Sequence, residues 1–198
     1  MKILGIICSP RREGNTEILV KEALTEAEGN HAEVGILRIA DMHILPCDGC
    51  ESCHETGQCR IKDDMQKIYD KLLSADGIIL ATPVYFWSVT GQAKIFMDRT
   101  YALRYPYHRL KNKVCGAIAV AGRRGCMSAL STINNFFLGQ DMLPVGLGIA
   151  GYGTKKAEVL HDERAVNGAR SLARQMIELI KTVETQSQTS NSRRQRTK

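Results

Sequence analysis

The chain has 198 residues, 43% of them hydrophobic and 24% charged, which suits one domain with a packed core and excludes a wholly disordered polymer. Its net charge is +6, but residues 185–198 hold Arg193, Arg194, Arg196 and Lys198 and no acid, so the remainder carries only +2. No apolar run reaches the ~20 residues of a membrane-spanning helix, and no basic stripe interleaved with aromatics marks a nucleic-acid surface.

Residues 2–8 form a compact, β-branched run, expected as a strand buried on both faces. No small-residue cleavage site follows it, so it does not read as a signal peptide, and a cytoplasmic, reducing location is expected. Asn15 or Thr16 is expected to cap a helix whose Leu19, Val20, Ala23, Leu24 and Ala27 share one face. Residues 32–39 read as a second strand, and 40–62 as an irregular segment with four Cys. Asp63 and Asp64 can cap a helix with the apolar stripe Met65, Ile68, Tyr69, Leu72 and Leu73. A third strand over 77–81, a loop over 82–90 and a helix over 91–103 follow. Residues 114–121 are the fourth strand, Leu130, Ile133, Phe136, Phe137 and Leu138 mark the next helix, and 143–149 are the fifth strand. The last helix repeats Ala165, Ala169, Leu172, Ala173, Met176, Ile177 and Ile180 at steps of three and four. Residues 184–198 hold no aliphatic or aromatic side chain and are expected to be a disordered basic tail to a domain over 1–183.

Strands alternating with helices predict an α/β three-layer sandwich around a parallel sheet. The expected order is the flavodoxin-like 2-1-3-4-5 over five strands, with a cysteine-rich insertion after strand 2. Ligands of such sheets sit at the carboxyl ends of the strands, which directs attention to the loops after strands 1, 3 and 4.

The first of these loops reads Cys8-Ser9-Pro10-Arg11-Arg12-Glu13-Gly14-Asn15-Thr16. Hydroxyls, an amide and guanidiniums beside a helix N-terminus suit a phosphate monoester. The alternative is a polar loop with an ordinary cap; neither G-x-G-x-x-G nor a P-loop is present. The second loop carries Pro83, Val84, Tyr85, Phe86 and Trp87. Three consecutive aromatics offer a stacking surface for a heterocycle, or else plug the sheet edge. The third, Gly122-Arg123-Arg124-Gly125, is flexible and cationic and suits the second side of a planar, anionic ligand, or is a surface turn. Lys94 and Asp98, four apart, read as a helix-surface ion pair beside Arg99.

The most specific feature is C-x2-C-x2-C-x5-C, formed by Cys47, Cys50, Cys53 and Cys59. Four thiolates in so short a run converge on a bound group, and a [4Fe–4S] cluster suits them. Zinc is the rival, although its all-cysteine sites pair two knuckles across a longer loop. Disulfides are a poorer third choice in a reducing compartment. His43 and His54 read as bystanders, Cys8 and Cys115 as buried structural thiols, and Cys126 has no assigned role.

Together these motifs resemble the iron–sulfur flavoprotein branch of the NADPH-dependent FMN reductase superfamily. S-P-R-R-E-G-N-T, the cysteine run, D-D-M and T-P-V-Y-F-W-S-V-T-G-Q-A-K occur in its order, and the resemblance spans roughly residues 1–180. It implies a flavodoxin-like fold, FMN, one [4Fe–4S] cluster and assembly through dimers. It also implies that Ser9, Arg11, Asn15 and Thr16 hold the FMN phosphate. Residues 83–87 would line the isoalloxazine with 122–125 opposite, and Cys47, Cys50, Cys53 and Cys59 would ligate the cluster. One departure is Cys126-Met127-Ser128, where many relatives have further Gly and Gln.

The expected function is electron transfer between cluster and FMN, fed by a ferredoxin-type donor or NAD(P)H. A homodimer or dimer of dimers would bring the cluster of one subunit to the flavin of another. The rivals are an NAD(P)H-dependent FMN or quinone reductase without a functional cluster, and an electron carrier without turnover of its own. No general acid or base is assigned, and neither membrane nor nucleic acid is an expected partner.

Overall fold

A computed structural model describes residues 1–196, with side chains described as far as residue 186. Its strands are β1 (Lys2–Ile7), β2 (Glu33–Arg38), β3 (Gly77–Pro83), β4 (Val114–Ala121), β5 (Leu143–Pro144) and β6 (Ile149–Tyr152). Its helices are α1 (Asn15–Gly29), α2 (Ser52–Thr56), α3 (Met65–Ser74), α4 (Gly91–Arg99), α5 (Cys126–Gly139) and α6 (Glu163–Arg196). The strands form one parallel sheet in the order β2-β1-β3-β4-β5, with β6 also on β4. This is the expected flavodoxin-like order, with the cysteine segment inserted after β2.

Both faces of the sheet are covered, and residues along each central strand alternate between two cores. Leu4, Ile6, Ile78, Leu80, Cys115, Ala117 and Ala119 face α3, α4 and α5. Ile3, Ile7, Ile79, Ala81, Val114, Ile118 and Val120 face α1 and α6. Close packing needs small residues on the strands: a Cβ on Gly116 would stand 2.8 Å from Leu172 Cδ2 of α6. Ion pairs Glu22–Arg170 (2.7 Å) and Glu26–Arg174 (3.0 Å) join the outer faces of α1 and α6.

Four local expectations are corrected. The fifth strand is two short pieces, pairing with 114–115 and with 118–121 of β4. Pro144 has no amide to donate, and Gly146 and Gly148 take φ of 60° and 97°, so the chain bows away before rejoining the sheet. Gly14, not Asn15 or Thr16, is the N-cap of α1, because Asn15 Oδ1, the acceptor a cap would need, accepts instead from the Val159 amide at 3.4 Å, while its Nδ2 donates to Lys155 O at 2.9 Å. At α3, Asp63 Oδ1 accepts from the Met65 amide at 3.0 Å, whereas Asp64 offers no side-chain cap. Finally, α4 ends at Arg99 and continues only as a 3-10 turn to Arg104. The tail expected over 184–198 lies, from residue 187 on, outside the described side chains, and 197–198 lie outside the description altogether. No helix among the described residues is long and apolar enough to cross a membrane.

Candidate functional site

A cleft of about 240 Å³ opens at the carboxyl ends of β1, β3, β4 and β6. Ser9, Arg11, Asn15, Thr16, Pro83, Val84, Tyr85 and Gly122 line it, so eight of the expected residues meet there. Phe86, Trp87, Arg123, Arg124 and Gly125 are not on its wall. Gly125 packs behind it: at φ 95°, a Cβ there would stand 2.8 Å from Val84 Cγ1, and Trp87 Cα is next to it. Arg123 and Arg124 are exposed at the rim. Gly14, Val120, Ala121, Gly153 and Thr154 complete the lining. The last two were missed because the glycines between β5 and β6 hid the strand that delivers them; Gly153 N donates to Ala121 O at 3.0 Å.

The loop after β1 is held in shape from below. Ser9 and Thr16 are buried, and the Ser9 hydroxyl accepts from the Arg11 amide at 3.3 Å. Glu17, also buried, accepts from the Glu13 amide at 2.8 Å and pairs with Lys21 (2.9 Å) and with Arg38. Burial opposes ionisation of Glu17, but Lys21, the Glu13 amide and Arg38 outweigh it and hold the carboxyl below its ordinary range. Thr90 joins this loop to the next: its hydroxyl donates to Cys8 O at 3.1 Å and accepts from the Ala93 amide at 3.2 Å, capping α4.

The aromatic loop is a two-residue hairpin. Tyr85 N donates to Ser88 O (3.0 Å) and Ser88 N to Tyr85 O (3.1 Å). Between them Phe86 and Trp87 both take positive φ, 44° and 67°. That is the arrangement of a primed turn, which ordinarily takes Asn-Gly. The strain presents two large rings to solvent, Phe86 wholly exposed and Trp87 60% exposed.

The opposite end of α4 borders a second cavity, about 180 Å³, walled by all four cysteines of the spaced run and by Arg60, Arg99 and Tyr101. Gly49, Glu51 and Gly57 take left-handed φ between 58° and 69°, which lets the loop wrap back on itself. Ser52 Oγ donates to Cys50 Sγ at 3.4 Å, the Cys50 amide donates to Asp48 at 3.2 Å, and Arg60 pairs with Asp48 at the rim. The Ser52 hydroxyl lowers the Cys50 thiol below its ordinary range, while burial raises Cys53. Among the described residues, no three His, Cys, Asp or Glu side chains are grouped closely enough to hold one ion; the thiols surround a volume instead.

The loop is anchored at both ends by one buried ion pair. Asp63 and Arg99 are 1% and 0% exposed in their side chains, with Nη1–Oδ2 at 2.5 Å and Nη2–Oδ1 at 3.0 Å. Arg99 also donates to the carbonyls of Leu45 (2.7 Å) and Ile61 (3.3 Å), two residues outside the first and last cysteines. The Leu45 amide donates to Asp63 at 2.9 Å. The surface pair Lys94–Asp98 forms as expected, at 2.6 Å, but its neighbour Arg99 turns inward. His54 stacks on Tyr105 with centroids 4.2 Å apart and is absent from the cavity wall. Burial pushes the thiols of Cys8, Cys115 and Cys126 up, and all three lie outside the cysteine cavity.

A parallel 2-1-3-4-5 sheet with a polar cleft at its strand ends defines a flavodoxin-like α/β scaffold. Residues 1–155 match the family model described as NADPH-dependent FMN reductase. The chain is 40% identical over 193 residues to an iron-sulfur flavoprotein of Methanocaldococcus jannaschii, covering 93% of this chain and 100% of the relative. An iron-sulfur flavoprotein of Methanosarcina thermophila is 38% identical over 148 residues, 74% of this chain and 78% of the relative. In fold, the chain is similar to RosB with a bound riboflavin-phosphate intermediate, at TM-score 0.78 and 17% identity over 98% of this chain and 87% of that one. The chain therefore belongs to the NADPH-dependent FMN reductase family, in its iron–sulfur flavoprotein branch, and is an FMN-dependent oxidoreductase.

Proposed function

We propose that this enzyme binds FMN in the strand-end cleft and one [4Fe–4S] cluster on Cys47, Cys50, Cys53 and Cys59, and passes electrons between them. The observation that carries the reading is the four thiols walling a single cavity at one end of α4, whose other end is capped by Thr90 beside the cleft. Four sulfurs around a volume match a polynuclear group better than a zinc ion, whose bonds of about 2.3 Å draw all four ligands to one point. When bound, the cluster moves single electrons and FMN one or two, which couples one-electron donors to two-electron acceptors such as quinones.

The residues supply position and field. Ser9, Arg11 and Thr16 at the N-terminus of α1 offer the donors a phosphate monoester needs. Asn15 ties the 153–155 segment to that site through Lys155 O. Pro83, Val84, Tyr85 and Gly122, which line the cleft, would hold a planar ring between them. Phe86 and Trp87, exposed beside the cleft, would shield the ring's outer edge or dock a partner, and the exposed Arg123 and Arg124 would favour an anionic reduced form. Ser52 and Arg60 offer donors to sulfur on the cavity's outer side.

Two donors are in play. A ferredoxin-type protein suits the cluster, and NAD(P)H is supported by the family match. Anaerobic stopped-flow mixing with a reduced bacterial-type ferredoxin or with NADPH, on wild type and Cys50→Ser, separates them. Flavin reduction by ferredoxin should fall at least tenfold in the variant; equal rates in both proteins would overturn the proposed route.

A further inference from the structure

Arg99 is the largest fully buried side chain among the described residues, and no part of it reaches solvent. A guanidinium has five N–H donors and cannot shed its charge. Four of them are met here. Nη1 donates to Leu45 O and Asp63 Oδ2, and Nη2 donates to Ile61 O and Asp63 Oδ1. The fifth, Nε–H, makes no hydrogen bond among the described residues; the Tyr69 hydroxyl, beside both this guanidinium and Cys59, donates to Arg99 O at 2.7 Å. A buried donor left unmet costs the free energy of taking it out of water, so native structures rarely keep one. Arg99 forms part of the cysteine cavity's wall. The other four bonds lock the guanidinium plane, so Nε–H cannot swing to another acceptor.

We infer that Arg99 Nε–H donates to the sulfur shell of the group bound by Cys47, Cys50, Cys53 and Cys59, and that Arg99 thereby sets that group's reduction potential as a positioning residue. The inference rests on the cluster reading above. Its physics is electrostatic. An electron taken from an external one-electron reductant adds one negative charge to the sulfur shell, with no bond broken and no proton moved. A fixed N–H and a buried cation favour the reduced state and raise the potential. Asp63 offsets part of the charge but cannot replace the directed N–H. Arg60, the other guanidinium on the wall, lies against Asp48 and the Cys50 thiol but is 58% exposed, so its influence is screened in part by water.

The test uses anaerobically purified holoprotein carrying 15N-arginine, as wild type, Arg99→Lys, Arg60→Gln and the double variant Arg60→Gln with Arg99→Lys. Arg99→Lys keeps a cation in reach of Asp63 and removes Nε–H. Iron and sulfide content, an EPR-monitored redox titration and electron spin-echo detection of 15N coupling are read on each. The expected result is a loaded Arg99→Lys protein whose oxidised-to-reduced ratio at fixed potential rises at least tenfold, about 59 mV for one electron. Arg60→Gln should retain an arginine 15N coupling that the double variant loses. Wild-type potential in Arg99→Lys, or undiminished arginine coupling in the double variant, overturns the inference. If Arg99→Lys does not fold, the coupling in Arg60→Gln decides: its presence supports the inference and its absence overturns it. Wild type that holds iron and sulfide but shows no coupling sinks this inference alone, whereas wild type without iron sinks the cluster reading and this inference with it.

Discussion

Asp63 uses both carboxylate oxygens at once, on the Arg99 fork, on the Leu45 amide and on the first amide of α3. Because the pair is buried, removing one partner leaves the other charge uncompensated. Asp63→Ala should therefore lose about 3–5 kcal/mol of stability in urea titrations, far more than an exposed ion pair is worth. Glu17 makes a milder and pH-dependent contribution. Its folded pKa lies below the ordinary value, so the stabilisation is present at neutral pH and is lost as pH falls through about 4.3 towards the folded value. Glu17→Gln should lower the melting temperature at pH 7 and flatten its decline between about pH 5 and 3; an unchanged acid limb would count against the bracing role. In the cleft, Arg11→Gln removes one charge-assisted donor and should weaken FMN binding about tenfold to hundredfold in a fluorescence titration of apoprotein. Binding at wild-type strength would remove Arg11 from the phosphate site.

At the scale of elements, the turn at 85–88 and the helix α4 carry the account. Phe86 and Trp87 hold left-handed backbones that Asn and Gly adopt readily. The double change Phe86→Asn with Trp87→Gly should raise apoprotein stability by about 1–3 kcal/mol while weakening FMN binding. A gain in stability with undiminished FMN affinity would mean that the rings serve something other than the flavin. The strands were legible because a parallel sheet covered on both faces demands unbroken apolar runs, as at 2–8 and 114–121. The convergence of the four cysteines was legible from their spacing, and all four wall one cavity. Arg99 was not. On sequence it sits beside Lys94 and Asp98 as a third charge on a helix surface, and only the approach of the 45–63 segment to the end of α4 shows that it is buried. The break between β5 and β6 was equally hidden, since Gly146 and Gly148 are compatible with a strand until their φ values are known.

For the whole molecule, the two cavities lie at opposite ends of α4, whose nine residues span about 13 Å. Four of the six net positive charges lie in residues 185–198, so residues 1–184, which supply both cavities, carry only +2. We propose that a second copy shortens the electron path by setting its cleft near this cysteine cavity. Light scattering of the holoprotein should accordingly give the mass of two or four chains, and a monomer with full ferredoxin-driven turnover would contradict that arrangement. The central claim is that one chain of this fold carries both a flavin and a four-iron cluster. Its most direct test is the iron, acid-labile sulfide, zinc and FMN content of protein purified without oxygen, on wild type and on Cys53→Ser. The account predicts about four iron, four sulfide and one FMN per wild-type chain, with iron and sulfide lost and FMN kept in the variant. Stoichiometric zinc without sulfide in wild type would contradict it.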